Sequence, residues 1–462
     1  MISINDLLSI GNPASKTLKT NIRGFKSAKI DSRAVRKNDL FFAIKGDNTD
    51  GHNFLRDAFN NGAGAAVVEE KWLRKNPKGI PGKILVSVKD TVIALGELAK
   101  IHRRRFDIPV ICIGGANGKT TTKDLTSAIL SEKYKVLKTE GNLNNHLGLP
   151  MTLLNLKKDH EICVLEVGCN HFGEIEYLCS IAEPDAGLVT NIGKEHLEFF
   201  KNLEGVARAE FELYEYLRKK HGAIMFFNLD DKFINKYSKS IPHEKRITYS
   251  YGFDSDVKGR FKGYEKNFQP RIEFESASGR FESRVSTFGK HSIYNGLAAA
   301  VVGHFYGVGA GKIKKALRMF TPSSSKRMEV AKLNGVLVIN DSYNSNPDSV
   351  KLGLETLSEA EVKGNKHAVL GDMLELGKSS RTEHSDIGKF AAKLGIENLY
   401  TFGKESYSTF ESAGKIRNNF YFDDKDDLGL FLKKRVKKGD IVYVKGSRGM
   451  KMEEIVNSLR EN

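Results

Sequence analysis

Several absences narrow the possibilities before any motif is considered. No apolar run exceeds the length of a strand, the stretch at 109–113 being typical, and crossing a bilayer takes ~20 apolar residues. No membrane insertion is expected. The first ten residues lack the basic-then-apolar layout of a secretion signal. Cysteine is scarce: Cys112, Cys163, Cys169 and Cys179 show no metal-ligand spacing, and three lie in or beside apolar, strand-like segments. Buried free thiols in a reducing compartment follow, so a cytoplasmic location is expected. No aromatic-interleaved basic module is present. The 73 basic side chains against 57 acidic give a net charge of +16, yet they are spread along the chain, with one short run at 103–105. Nucleic acid is therefore not an expected partner, and an anionic small substrate or a basic soluble surface accounts for the charge.

What is present is a chain of 462 residues, too long for one ordinary domain. Hydrophobic residues make up 40% and aromatics 9%, enough for a core in each domain, with no signature of disorder. The first hundred residues read as a small α/β unit, with a strand at 40–44, a helical stretch from Phe54 and a strand at 65–68. A basic, polar stretch at 101–107 marks a boundary. Beyond it strands and helices alternate: strand 109–113, helix 119–131, then strands 135–138, 162–167, 187–191 and 223–227. Such alternation predicts a mostly parallel sheet with helices on both faces. The polar, alternating stretch 258–286 predicts an antiparallel extension, followed by an alanine- and glycine-rich helix at 292–305.

A second linker is expected at 321–325. The α/β rhythm then restarts with strand 336–339, helix 347–358 and strand 367–370, closing with strand 441–444 and a helix from Lys451. The expected architecture is three α/β domains. A central phosphate-loop domain (106–320) with a doubly wound, mostly parallel sheet is flanked by a smaller N-terminal α/β domain (1–105) and a C-terminal Rossmann-like domain (321–462).

The strongest local signal is Gly115-Ala116-Asn117-Gly118-Lys119-Thr120-Thr121-Thr122, between a predicted strand and a predicted helix. Glycines let backbone N–H groups approach phosphates, and a helix N-terminus adds positive potential. Lys119 would reach the β- and γ-phosphates and Thr120 would offer its hydroxyl to Mg²⁺. The strict Walker register wants glycine where Ile113 stands, so the loop is a variant. Magnesium among triphosphate oxygens keeps several waters and needs few protein ligands. Those are expected at the ends of neighbouring parallel strands. Glu166, ending one strand, and His196, following another, fit; read singly, each is equally a solvated strand-end carboxylate or an exposed loop histidine.

Together these segments resemble the Mur ligases along essentially the whole chain. The loop is similar to that family's variant phosphate loop, and Glu140-Gly-Asn-Leu-Asn144-Asn145 to its substrate-side segment. Leu165-Glu166-Val-Gly168 and Thr190-Asn-Ile with His196-Leu-Glu resemble the segments carrying the magnesium ligands. The stretch from His291 to Asn295 resembles the one that supplies an adenine-binding asparagine, here Asn295. Arg327, between Lys326 and Met328, matches a nucleotide-contacting arginine, and Asp341 a ribose-binding aspartate, with Tyr343 beside it.

Asp341-Ser-Tyr343-Asn344-Ser-Asn346-Pro347, Gly371-Asp-Met-Leu-Glu-Leu-Gly377 with His384, and Lys445-Gly-Ser-Arg448-Gly-Met450 resemble the branch that adds D-alanyl-D-alanine. Asn344, Asn346, Lys445 and Arg448 are its candidate dipeptide contacts. Asp31-Ser32-Arg33, Leu40-Phe-Phe-Ala-Ile-Lys45-Gly46 and Asp50-Gly-His52 resemble the UDP-sugar domain, so Ser32, Arg33, Lys45, Asp50 and His52 are expected to hold the UDP-linked substrate, with Asn144 and Asn145. The Asp-Asn-Pro-Arg motif by which the tripeptide-forming sibling recognises diaminopimelate is absent.

Three positions depart from the family pattern. Cys112 stands where glycine is common, and Ser292 where asparagine is common. Glu210 occupies the place of a lysine that the family carbamylates to help hold a second magnesium. A glutamate there is expected to be ionised near pH 7 unaided, on a shorter side chain that reaches metal through water or balances charge around His196.

The resemblance implies an enzyme of cell-wall precursor synthesis, and hence of cell shape and division. It would use ATP and two Mg²⁺ ions to join D-alanyl-D-alanine to UDP-N-acetylmuramoyl-tripeptide through an acyl phosphate, with Lys119, Glu166 and His196 catalytic and the chain a monomer. A sibling ligase for another amino acid, a folate glutamate ligase, and a non-enzymatic ATP switch remain alternative readings.

Overall fold

The computed structural model describes residues 1–13, 23–265, 269–289, 291–322 and 326–460, with nothing stated for the side chain of His291. Part of the expected linker at 321–325 lies outside the described residues.

Three sheets organise the described chain. In the smallest major one, Asn12–Pro13, Leu85–Val88, Ala65–Glu69, Leu40–Phe42 and Ala28–Lys29 lie in that order, parallel except for the first. The central sheet has nine strands, in the order Gly279–Arg284, Pro270–Ser276, Val257–Tyr264, Arg246–Ser250, Ile224–Asn228, Ala186–Val189, Val110–Gly114, Ile162–Glu166 and Val136–Lys138. The last seven run parallel, and the first two extend the sheet as antiparallel hairpins. The third sheet orders Glu329–Leu333, Val336–Asp341, Ile441–Lys445, Lys366–Gly371, Asn398–Phe402 and Asn418–Phe422, antiparallel at the first pair only.

The central strands are buried on both faces, which is why they read as continuous apolar runs rather than alternating ones: every residue of Val110–Gly114 and Ile162–Glu166 is buried. One face packs Leu125, Ile129 and Leu130 of the helix Lys119–Leu130 against Leu297, Val301 and Val302 of the helix His291–Phe305. The other packs helices Glu174–Ala182 and Glu212–Lys219. Val110–Gly114 has Ile162–Glu166 on one side and Ala186–Val189 on the other. Strand order reverses there, opening a crevice at the strands' carboxyl ends where open α/β sheets take ligands.

The basic stretch at 101–107 turns out to be a docking element. The helix Thr91–Arg103 ends inside it, and its buried face joins the N-terminal core to the central one. Arg103 is buried and donates from Nε to the carbonyl of Ala182 (3.1 Å) and from its terminal nitrogens to those of Phe106 (2.8 Å) and Ile108 (3.4 Å). His102 is buried too, its Nε2 lying 3.1 Å from the carbonyl oxygen of Leu156. Arg104 pairs with Glu183 in a more exposed setting.

Arg103→Ala would strip three carbonyl groups of their donor and leave a cavity. Urea unfolding should show a loss of about 2–4 kcal/mol. The neighbouring Arg104→Ala, which breaks a largely solvated pair, should cost less than about 1 kcal/mol.

Candidate active site

The turn at 114–118 is shaped by two glycines. Gly115 (φ +114°) passes so close to Thr190 that a Cβ would strike its hydroxyl, and Gly118 (φ +80°) lies against the side-chain oxygen of Asn295. Both angles fall where side chains are rarely tolerated. The loop is pinned from the next strand's end. Thr190 Oγ1 donates to the carbonyl of Asn117 (2.7 Å), Asn191 Oδ1 accepts from the Asn117 N–H (3.1 Å), and the Ala116 N–H donates to the Asn191 carbonyl (2.9 Å). The helix Lys119–Leu130 starts immediately after Gly118, its first N–H groups aimed into the crevice.

Lys119 is the charged centre of this crevice. Its Nζ lies 3.3 Å from Glu195 Oε2. Burial by itself would lower its pKa, but Glu195 and Glu210, with Cys169 and Glu166 behind them, outweigh burial and hold the ammonium above its ordinary value. Glu166 is buried at its strand's end. One oxygen accepts from Asn144 Nδ2 (2.8 Å), while the other, like Thr120 Oγ1 and Glu195 Oε1, is buried without a protein partner.

Glu210 corrects an expectation. It lies beneath the loop, fully buried, with Oε2 accepting from the Gly115 N–H at 2.5 Å. Burial is the largest influence and Glu195 adds to it; Lys119 and the Gly115 N–H pull the other way, and the pKa ends at about 8. Burial thus works against the unaided ionisation near pH 7 that was expected of this glutamate. Its closest relationships are with Gly115, Glu195 and Lys119 rather than with His196.

A cleft of about 1920 Å³ runs between the central and C-terminal domains. It is lined by Ala116, Asn117, Gly118, Lys119, Thr121, Asn144, Asn145, Glu166, His196 and Asn295 from the first, and by Arg327, Asp341, Tyr343, Asn344, Asn346 and Lys445 from the second. Gly115, Thr120 and Glu210 are buried and do not line it.

Asn295 Oδ1 accepts from Thr122 Oγ1 (3.2 Å), and its amide nitrogen is buried without a protein partner. Asp341 accepts from Lys445 Nζ (2.6 Å) and the Tyr443 hydroxyl (3.1 Å), while the Arg327 guanidinium lies 3.9 Å over the Tyr343 ring. Lys445 also donates to the Asn344 carbonyl (2.9 Å), so two of its three ammonium donors are engaged within the protein. Asn346 caps the helix Pro347–Glu359 and donates to Asn117 Oδ1 across the cleft (2.9 Å). Arg448 stands outside the lining, 3.4 Å from Glu453 and 5.7 Å from the Tyr343 ring centre.

The five residues expected to hold the UDP-linked substrate lie in the N-terminal unit, away from this cleft. Arg33 projects into solvent, paired with Asp31 (2.8 Å). Ser32 is buried, its carbonyl accepting from Asn61 (3.0 Å), and Lys45 bridges to Asp50 through the backbone. His52 uses both ring nitrogens. Nε2 accepts from the Glu69 N–H (2.9 Å), leaving the proton on Nδ1 for Asp50 Oδ1 (2.6 Å), and the ring stacks on Trp72 at 5.4 Å.

Reading the sequence overlooked Glu195, although it sits between Lys194 and His196 in a charged triplet right after a parallel strand, which was its available signal. It also overlooked Asp348, Glu375 and Glu383, which approach the 193–198 loop from the C-terminal side. Glu375 lies inside the 371–377 stretch that the sequence singles out, whereas no local pattern betrays Asp348 or Glu383.

Comparison with known proteins agrees with this geometry. Three family descriptions match: Mur ligase family, catalytic domain, over residues 25–103; Mur ligase middle domain over 113–303; and Mur ligase, glutamate ligase domain, over 326–448. The chain belongs to the Mur ligase family. The UDP-N-acetylmuramoyl-tripeptide--D-alanyl-D-alanine ligase of Bacillus subtilis (strain 168) is 35% identical over 444 residues, covering 94% of this chain and 92% of the relative. Its counterpart in Escherichia coli (strain K12) is 34% identical, covering 94% and 93%. Among solved structures, MurF from Acinetobacter baumannii superposes with a TM-score of 0.89 at 29% identity, covering 100% of this chain and 99% of that one. MurF ligase from Thermotoga maritima in complex with ADP gives 0.81 at 29% identity, covering 94% and 97%. This Mur ligase thus shares its three-domain architecture with proteins of one branch.

The raised pKa of Glu210 gives a signed prediction. An acid whose folded pKa exceeds its unfolded value stabilises the fold fully only at low pH, and that contribution is lost as pH rises towards about 8. Glu210→Gln, which mimics the neutral acid, should therefore melt above the parent in metal-free buffer at pH 8. The gap should shrink as the pH falls towards 5, and thermal unfolding across that range checks it.

Proposed function

We propose that this Mur ligase joins D-alanyl-D-alanine to UDP-N-acetylmuramoyl-tripeptide at the expense of ATP, giving the pentapeptide precursor, ADP and phosphate. The observation that carries the reading is a phosphate loop and a C-terminal nucleotide wall facing each other across one cleft, in a chain similar over nearly its whole length to ligases of that name. Asn295 would meet the base, Asp341 and Arg327 the ribose side, and Lys119 with the loop N–H groups the phosphates. Ser32, Arg33, Lys45, Asp50 and His52 would take the UDP end, and Asn144 and Asn145 the peptide side. Asn344, Asn346 and Lys445 would meet the dipeptide from the cleft wall, with Arg448 just outside it.

In the reaction, a terminal carboxylate oxygen of the peptide attacks the γ-phosphorus and ADP departs. The dipeptide amine then adds to the acyl carbon, loses its proton, and the tetrahedral intermediate expels phosphate. Such chemistry asks a protein for alignment and charge neutralisation rather than covalent help. Lys119 neutralises the transferring phosphoryl group, the loop N–H groups orient it, and closure of the cleft keeps water from the acyl phosphate.

Among the described residues no three His, Cys, Asp or Glu side chains form a metal cluster of their own. The unpartnered buried oxygens of Thr120, Glu166 and Glu195 nevertheless suit a cation held chiefly by phosphates and water. Thr120, Glu166 and His196 are the proposed magnesium ligands, with Glu210 behind them, and bound magnesium would supply further neutralisation of the phosphates. A cytoplasmic monomer fits this reading; among the described residues no helix is long and apolar enough to cross a membrane.

Phosphate release should require ATP, the UDP-muramoyl-tripeptide and D-alanyl-D-alanine together. Release with either acceptor omitted would point to an ATP switch. Lys119→Ala should lower turnover by about 10²–10³-fold with the fold intact. Asn295→Ala and Asp341→Ala should raise the KM for ATP more than that for the dipeptide. Because a glutamate needs no carbon dioxide to become an acid, ligation should not respond to bicarbonate, measured in degassed against supplemented buffer.

A further inference from the structure

The loop 193–198 belongs to the central domain but is gripped from the C-terminal one. The Lys194 N–H donates to Asp348 Oδ2 (2.8 Å), and Lys194 Nζ pairs with Glu383 Oε1 (2.6 Å). His196 Nδ1 lies 2.5 Å from Glu375 Oε2, and the Glu198 N–H donates to the Glu375 carbonyl (3.2 Å). Glu375 is itself held in place. The Met373 N–H donates to His384 Nε2 (3.0 Å) and the Leu374 N–H to Ser447 Oγ (2.8 Å), so the 372–377 turn is braced from a helix and from the end of a strand.

A histidine can ligate metal through either ring nitrogen, and the choice follows from what the other nitrogen meets. A carboxylate oxygen this close to Nδ1 leaves no room for a cation there, so Nε2 is the ring nitrogen open to metal. The ring is further steadied edge-on by Phe200, at 6.3 Å and 81°. His196 takes a left-handed backbone conformation (φ +48°) that a non-glycine residue adopts only where its surroundings impose it.

We infer that Glu375 is a positioning residue for His196: seating of the C-terminal domain fixes the imidazole so that Nε2 is available to a divalent cation in the phosphate cleft. The metal side of the site is thus completed from the third domain, and an open arrangement leaves His196 free to turn. The inference rests on the proposed role of His196 as a magnesium ligand. Were Glu375 only an inter-domain tether, its loss would act like the loss of Glu383, which grips the same loop without touching His196.

The test uses the full-length protein with Mn²⁺ in place of Mg²⁺, a non-hydrolysable ATP analogue and UDP-N-acetylmuramoyl-tripeptide, and reads electron spin-echo modulation from an imidazole nitrogen. The parent should show the modulation and His196→Ala should lack it. Glu383→Ala should keep it and Glu375→Ala should lose it, with the half-saturating Mg²⁺ concentration for ligation raised about 10-fold or more. The Glu375 side chain is 55% exposed, so its removal does not threaten the fold. Undiminished modulation in Glu375→Ala, or equal loss in Glu383→Ala, overturns the positioning role while leaving His196 as a ligand. No modulation in the parent removes the ligand reading and the inference with it.

Discussion

A half-buried ammonium sets the terms for the rest of the site. Lys119 sits at the start of its helix with its side chain 16% exposed, and a lone charge so far withdrawn from water would be costly. Glu195, Glu210 and Glu166 surround it, so the ammonium is retained and the excess becomes negative. That excess helps to raise the Glu210 pKa, and Glu166 and Thr120 each keep a buried oxygen without a hydrogen-bond partner. Under the proposed function, nucleotide phosphates would compete with Glu195 for the same ammonium.

The two domain junctions are built from different materials. The N-terminal unit shares a continuous apolar core with the central sheet, sealed by Arg103 on three carbonyls, and that kind of junction resists separation. Across the cleft Phe288 and Leu197 of the central domain pack on the C-terminal core, but many contacts are polar: Asn346 to Asn117, Asp348 and Glu383 to Lys194, Glu375 to His196. Such contacts exchange readily for water, which is what a junction needs if substrates are to enter through it. The seal is therefore permanent on one side of the central sheet and renewable on the other.

Much of the fold was legible because it rests on local periodicity. The buried parallel strands announced themselves as apolar runs, and the phosphate loop as glycines followed by lysine and threonines. The short N-terminal strands, such as Ala28–Lys29, and the strand Asn418–Phe422, half-buried throughout, carry little periodic signal and were missed. Residues within one continuous motif, from Gly115 to Thr121, could be named. Those that matter through contacts between distant segments could not: Glu375 and Glu383 meet the 193–198 loop only after two domains have folded. The protonation of Glu210 was misjudged for a related reason. A reference pKa describes a side chain in water, and nothing in the helix Leu203–Glu210 reveals that its last residue is fully buried beneath a phosphate loop.

The pairing of His52 with Trp72 has a practical meaning. Trp72 is the chain's one tryptophan, and it lies in the N-terminal unit, against a ring whose two nitrogens are held by Asp50 and the Glu69 backbone. Indole emission therefore originates from a single place, far from the phosphate cleft and unmixed with signals from the other two domains. The molecule carries a built-in fluorophore for one of its three parts, so events in the N-terminal unit can be followed optically without indole signal from the other two.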